Sequence, residues 1–317
     1  MGIYNDSLSG SDQEYRTWRM TSRVHSRMDS RQTLCAHEWR PSRLAPIGCV
    51  YFAHGMGEHA FAYRHLGQQL AAAGFVVLAV DYYGHGLSDG SRLSVGFYDA
   101  VKDYLDFVSA TALRRHDLPR FMLGQSLGGL LAMHVVLTDQ SQWAGLVLSA
   151  AAIGVDWDVA KLAAYATFST LARLGVKPDW KVLPAFSGAE ICRDPEGAMN
   201  YDTDPLNYHG KLKVRLALDA MQAMISCRRR YPEYKLPILV LHGTQDITTS
   251  LSAAERFVKE VRSKDVHFHK LDGLSHLLMM EPERQQVINE VISWIVNRTH
   301  HAEPENHAKQ VHIASKL

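Results

Sequence analysis

Residues 124–128 read Gly124-Gln125-Ser126-Leu127-Gly128, set between the apolar run Phe121-Met122-Leu123 and a longer apolar run over 130–137. A strand entering this pentapeptide and a helix leaving it would force the chain through a sharp turn with Ser126 at its tip. In such a nucleophile elbow the residues two before and two after the serine must be small, so that backbone can fold past backbone. Gly124 and Gly128 meet that demand. The feature therefore predicts a strand, a strained turn and a helix, with a hydroxyl presented at the carboxyl edge of a sheet.

Around the elbow, apolar runs of strand length alternate with helix-period segments. Strands are predicted over residues 49–54, 75–81, 120–125, 237–241 and 266–271, with helices ending near 73 and spanning 98–114 and 252–262. Alternation of this kind builds an α/β sheet, and ligands in such sheets sit beyond the carboxyl ends of the strands. The pattern breaks after Leu146-Val147-Leu148-Ser149 and resumes at Pro237, which marks an insertion. The expected organisation is an N-terminal arm (1–18), a core (19–150 and 233–299), a lid (151–232) and a flexible C-terminal tail (300–317).

A serine is a poor nucleophile at neutral pH, so Ser126 needs a base to take its proton and an acid to orient that base. In chain order the acid follows the serine and the histidine comes last. The run 237–241 opens into His242-Gly243-Thr244-Gln245-Asp246, and the strand 266–271 opens into Asp272-Gly273-Leu274-Ser275-His276. Asp246 is the candidate acid and His276, 30 residues later, the candidate base. Asp272 competes for the acid role, but it lies in the same loop as the base, four residues before it. The tetrahedral oxyanion needs N–H donors. Leu127, at the start of a helix, supplies one. Met56, in the glycine-rich turn His54-Gly55-Met56-Gly57-Glu58-His59 after an earlier strand, supplies the other. His54 and His85 fit their loop motifs as backbone-orienting groups rather than proton carriers.

Four segments carry a family resemblance: residues 54–59, Asp81-Tyr82-Tyr83-Gly84-His85-Gly86-Leu87-Ser88-Asp89-Gly90, the elbow with Gly129, and Tyr201-Asp202-Thr203-Asp204-Pro205-Leu206. In order and spacing they resemble the monoacylglycerol lipases, in the lysophospholipase-like branch of the α/β-hydrolases. The resemblance implies an α/β-hydrolase fold, with a mostly parallel eight-stranded sheet flanked by helices and a helical lid insertion. It implies a serine carboxylester hydrolase that releases a fatty acid from a monoacylglycerol through an acyl-enzyme on Ser126, with no cofactor and no metal. It also implies Glu58 and Tyr201 as substrate-binding residues, Tyr201 in a polar pocket for the alcohol. Two positions depart from the family: Ala62 stands where an arginine is common, and Gln125 where a histidine is common. A lysophospholipase using Ala62, Arg64 and Tyr201 around a phosphate is the alternative within enzymes. A catalytically inactive, lipid-binding hydrolase fold is the alternative outside them.

The chain has 317 residues, 46% of them hydrophobic and 21% charged, with a formal net charge of +1. Such a balance supports a large core and gives no reason to expect nucleic acid, since the longest basic run is Arg228-Arg229-Arg230. Cys35, Cys49, Cys192 and Cys227 show no metal-binding spacing and are expected to be reduced structural thiols. Neither a signal-peptide pattern nor an 18-residue apolar stretch is present, so secretion and membrane spanning are not expected. The apolar part of the lid, 159–176, includes Leu162, Tyr165, Phe168, Leu171 and Leu174. It is expected to roof an acyl chain, with transient contact to a membrane surface as a further possibility. Finally, Ser315-Lys316-Leu317 ends the chain on a polar tail and reads as an address for the peroxisomal import receptor; without import the protein would be cytoplasmic.

Overall fold

The structure, a computed structural model, describes residues 13–25, 31–113, 115–156, 163, 165–167, 169–170, 181–183 and 186–299. Its centre is an eight-stranded sheet. The strands are β1 (Gln13–Thr21), β2 (Thr33–Pro41), β3 (Gly48–Ala53), β4 (Phe75–Val80), β5 (Arg120–Gln125), β6 (Gly145–Ser149), β9 (Ile238–Gly243) and β10 (Val266–Leu271), in the spatial order β1-β2-β4-β3-β5-β6-β9-β10. The first two strands join antiparallel and the other six run parallel. This is the α/β-hydrolase arrangement expected from the sequence.

The interior strands β3, β4, β6 and β9 are buried along their whole length and β5 from Phe121 onward, which is why they read as apolar runs rather than as alternations. Successive side chains still point to opposite faces. Tyr51, Met122, Leu146 and Val240 enter one core, whereas Val50, Phe121, Val147 and Leu239 enter the other. The helices are α1 (Arg64–Ala72), α2 (Phe97–Ala112), α3 (Leu127–Val136), α4 (Gly188–Ile191), α5 (Pro195–Thr203), α6 (Val214–Arg228), α7 (Leu251–Glu260) and α8 (Arg284–Thr299). α2 and α3 cover the first face, and α1 and α8 cover the second. Parallel register aligns Ala53 with Gly124, Gln125 with Ser149, and Gly243 with Leu271, so the loops that follow these strands emerge on one edge.

The N-terminal arm is shorter than expected. Residues 13–18, assigned to it, belong to β1, which pairs with β2 from Gln13↔Pro41 to Thr21↔Thr33. Its arginines mask two aromatic anchors: the Tyr15 ring lies 5.1 Å from Trp39 and 5.3 Å from Phe61, and Trp18 lies 6.3 Å from Phe107. Within the interval 151–232, a small pair β7 (Lys181–Leu183) and β8 (Leu212–Lys213) is antiparallel. Ala223, Cys227 and Tyr231 from the same interval are part of the core on the α2 and α3 side. Most of the apolar stretch 159–176, the first residues of the arm and the whole tail 300–317 lie outside the described residues. Among the described residues, no helix is long and apolar enough to cross a membrane.

Candidate active site

Ser126 connects β5 to α3 with φ 55° and ψ −122°. A side chain held in so sparsely populated a backbone region costs on the order of 1–3 kcal/mol and persists only where the surroundings dictate it. Both glycines of the pentapeptide supply that constraint. A Cβ on Gly124 would stand 2.4 Å from the Gly128 carbonyl oxygen, and a Cβ on Gly128 would stand 2.1 Å from that of Ala53. The helix thus begins against the end of β3, and the Ser126 hydroxyl is left half-buried at the sheet edge.

The two partners predicted from chain order meet this hydroxyl. His276 Nε2 is 3.0 Å from Ser126 Oγ, and His276 Nδ1 is 2.8 Å from Asp246 Oδ2. An ionised carboxylate can only accept, so Nδ1 carries the proton and Nε2 presents its lone pair to the serine. Asp246 is itself fixed. Its Oδ1 accepts the N–H groups of Thr248 (2.7 Å) and Thr249 (3.0 Å), and Oδ2 accepts the Thr249 hydroxyl at 2.6 Å. Burial opposes its charge, but these bonds and His276 outweigh it and hold the carboxyl down to about 2 from 3.8. The competitor Asp272 is exposed and accepts from the Thr244 hydroxyl instead, at 3.1 Å.

Met56 and Leu127 are both half-buried, and among the described residues neither backbone N–H has an acceptor. Their loops adjoin: a Cβ on Gly55 would stand 3.4 Å from Ser126 Cβ. Glu58 lies in the same loop, but its carboxylate faces inward. It accepts the Gly55 N–H at 2.9 Å and the Tyr63 hydroxyl at 3.0 Å, and burial raises its pKa. Tyr201, on α5, is buried; burial and the nearby Glu58 carboxylate push its phenol up. It lines a recess of about 380 Å³ together with Ala62, Arg64, His65, Asn200 and Met280. The family's arginine position is thus an open wall here, with the exposed Arg64 guanidinium beside it.

His54 and His85 serve the backbone. His54 Nδ1–H donates to the Gly55 carbonyl at 2.8 Å, and its Nε2 accepts the Tyr82 N–H at 3.3 Å. Burial holds His54 down to about 3 and His85 down to about 4. Sequence reasoning missed Gln125 as a participant. Fully buried, it accepts the Ser149 hydroxyl at 2.6 Å and donates Nε2–H to the His276 carbonyl at 3.0 Å. Its departure from the family residue was the available signal. Among the described residues, one group of donors has metal-ligand proximity: Cys35, His37 and Asp81 bring one atom each within 4.8 Å of one another. These donors already match each other. His37 Nε2 faces Asp81 Oδ2 at 3.2 Å, and Asp81 also accepts the N–H groups of Ala60 (2.8 Å) and Leu87 (2.9 Å). Burial works against a charge on His37, but Asp81 overrides it and raises the ring to about 10, the signature of a buried ion pair.

An α/β-hydrolase sheet that offers a serine at a strained elbow, within reach of an oriented histidine, defines a serine hydrolase. The model of the Hydrolase_4 family, described as serine aminopeptidase S33, matches residues 45–283. The chain therefore belongs to this family and is similar to its monoacylglycerol lipases. It is 33% identical over 260 residues to the monoacylglycerol lipase of Mycolicibacterium smegmatis, covering 82% of this chain and 91% of the relative. With monoglyceride lipase of Mus musculus it shares 30% identity over 275 residues, 84% of this chain and 88% of the relative. The crystal structure of Paleococcus ferrophilus monoacylglycerol lipase matches with a TM-score of 0.72 at 25% identity, covering 84% of this chain and 99% of that one.

Proposed function

We propose that this serine hydrolase releases a fatty acid from a monoacylglycerol through an acyl-enzyme on Ser126. The observation that carries the mechanism is the unbroken relay from Ser126 Oγ through the His276 ring to Asp246. As Oγ attacks the ester carbonyl, Nε2 of His276 takes its proton, and the ionised Asp246 stabilises the imidazolium. The N–H groups of Met56 and Leu127 receive the oxyanion. Collapse of the tetrahedral species returns the proton to the departing glycerol oxygen. Water, deprotonated by the same nitrogen, then attacks the acyl-enzyme and frees the fatty acid.

The substrate class draws on the relatives in M. smegmatis and mouse, both named for monoacylglycerol or monoglyceride hydrolysis. Tyr201 and Glu58 are assigned to the alcohol side, Tyr201 at the recess and Glu58 through the loop it braces. The test is fatty-acid release from monoacylglycerol and lysophosphatidylcholine of one chain length, with Ser126→Ala as control. Preference for the glyceride supports the reading. Preference for the phospholipid would overturn it in favour of a lysophospholipase with Arg64 facing the phosphate. A wild-type chain that hydrolyses neither and is not labelled by a fluorophosphonate would be a lipid-binding module.

Two further parts of the reading concern residues that lie mostly or wholly outside the described ones. The apolar stretch 159–176 is assigned to a lid that covers the acyl chain and touches a membrane surface. Ser315-Lys316-Leu317 is assigned to the peroxisomal import receptor. Extending Leu317 by one residue should leave the protein in the cytosol, and unchanged import would sink that assignment.

A further inference from the structure

The loop after β10 carries His276 but has no ladder to hold it, because residues 272–280 form turns and bends rather than helix or strand. Its backbone is nevertheless fixed from one side by a segment far away in sequence. The Ile191 carbonyl accepts the N–H groups of His276 (3.1 Å) and Leu277 (2.9 Å). Beside that grip, a single carboxylate joins the two segments. Glu281 Oε1 accepts the N–H of Ser275 at 3.2 Å and the N–H of Arg193 at 3.1 Å, while Oε2 accepts Arg193 Nε–H at 3.0 Å. Glu281 is 0% exposed. A carboxylate so completely removed from water is tolerated only when its oxygens are paired and hydrogen-bonded, and this one is matched by the Arg193 guanidinium. The Arg193 fork reaches on to Glu283 Oε2 at 2.5 Å.

We propose that Arg193 and Glu281 are a positioning pair for His276: the ion pair pins Ser275, and with Ile191 fixes the backbone from which the imidazole reaches Ser126 and Asp246. The pair touches neither substrate nor reacting atoms and acts through the base. Ring placement within a few tenths of an ångström is needed at both nitrogens at once, so a small drift of this backbone lengthens two hydrogen bonds together. Arg193 belongs to the interval 151–232, outside the strands that carry the serine, acid and histidine. Competence of the base therefore depends on residues 191–193 staying docked, and any motion of a lid must spare them. The inference rests on the Ser126, His276 and Asp246 reading above.

The experiment uses the full chain with Arg193→Gln, Arg193→Lys and Glu281→Gln. Four quantities are read: the fluorophosphonate labelling rate of Ser126, kcat and KM on a soluble acyl ester, and the low-field proton resonance of the His276 Nδ1–H to Asp246 bond. Arg193→Gln should lower labelling rate and kcat by about 10- to 100-fold with KM changed by less than about threefold, the pattern of a misplaced catalytic group. The low-field resonance should shift or broaden, and Arg193→Lys should recover part of the rate. Arg193→Lys keeps a cation beside the buried Glu281 and, with the Arg193 side chain 38% exposed, opens no cavity, so it remains informative through the same readouts even if Arg193→Gln or Glu281→Gln does not fold. Wild-type rates and an unshifted resonance in Arg193→Gln, with only the melting temperature lowered, would overturn the proposal and leave the pair a brace of the fold. A wild-type chain that does not label at all would instead remove the reading on which the pair rests.

Discussion

The side-chain amide of Gln125 donates to the main-chain carbonyl of His276 at 3.0 Å, so the residue preceding the elbow serine holds the backbone of the histidine that faces it. The other end of the same amide accepts the Ser149 hydroxyl at 2.6 Å. Two strand ends, of β5 and β6, and the loop after β10 are tied through one uncharged group that does not titrate.

Gln125→Ala should therefore loosen the base without touching it. The expected result is a kcat reduced about tenfold and a stability loss of about 1–3 kcal/mol, from the buried Ser149 hydroxyl left unpaired and the His276 carbonyl left with only the Leu278 N–H, at 3.0 Å. Gln125→Glu should be worse, because it replaces the donor to His276 with a second acceptor. Steady-state kinetics and urea unfolding would check both, and an unchanged kcat in Gln125→Ala would refute the tie.

Asp246→Asn should cut kcat by about 10⁴-fold with KM little altered, because an amide at this position favours the wrong imidazole tautomer. Since Asp246 stays ionised down to about 2, its own protonation should leave no break in the kcat profile above pH 4. Stopped assays across pH 4–8 would test this. A break abolished by Asp246→Asn would contradict it.

Gly128→Ala places a Cβ 2.1 Å from the Ala53 carbonyl oxygen and 2.4 Å from that of His54. Backbone atoms on both sides cannot yield cheaply, so a loss of at least about 3 kcal/mol is expected. Thermal unfolding would measure it, and a change below about 1 kcal/mol would mean that α3 can shift away from β3.

Stability should fall as the solution is acidified below the ordinary histidine pKa. His54 and His85 are held neutral by burial, down to about 3 and about 4, whereas the unfolded chain protonates them near 6.5. Their contribution is complete above pH 6.5 and declines toward the folded values, by up to ~1.4 kcal/mol per pH unit for each ring. His37 has the opposite sign: its pairing with Asp81 stabilises fully below 6.5 and is lost as pH rises toward about 10. Urea midpoints between pH 4 and 7 should flatten in His54→Gln; an unaltered slope would refute the assignment.

What the sequence disclosed, and what it hid, follows from the range of the interactions. The meeting of Ser126, Asp246 and His276 was legible because each follows the carboxyl end of a strand, and such ends are marked by apolar runs turning into glycine and polar residues. Asp246 was separable from Asp272 because Asp272 shares the loop of His276, four residues before it, whereas Asp246 follows a different strand. The start of β1 was placed too late because its anchoring rings, Tyr15 and Trp18, are interleaved with Arg16 and Arg19, and its partner rings lie on distant elements. Gln125 and Glu281 carry no local signature. Their meaning arises from contacts 151 and 88 residues away, to His276 and Arg193.

The Ser126–His276 contact closes a separation of 150 residues. At translation rates of roughly 5–20 residues per second, the elbow leaves the ribosome on the order of 8–30 s before the histidine does. Throughout that interval the pentapeptide is an ordinary serine among glycines, with no acid or base beside it. On the proposed mechanism a nascent copy is consequently chemically silent until β10 and the loop that follows it dock.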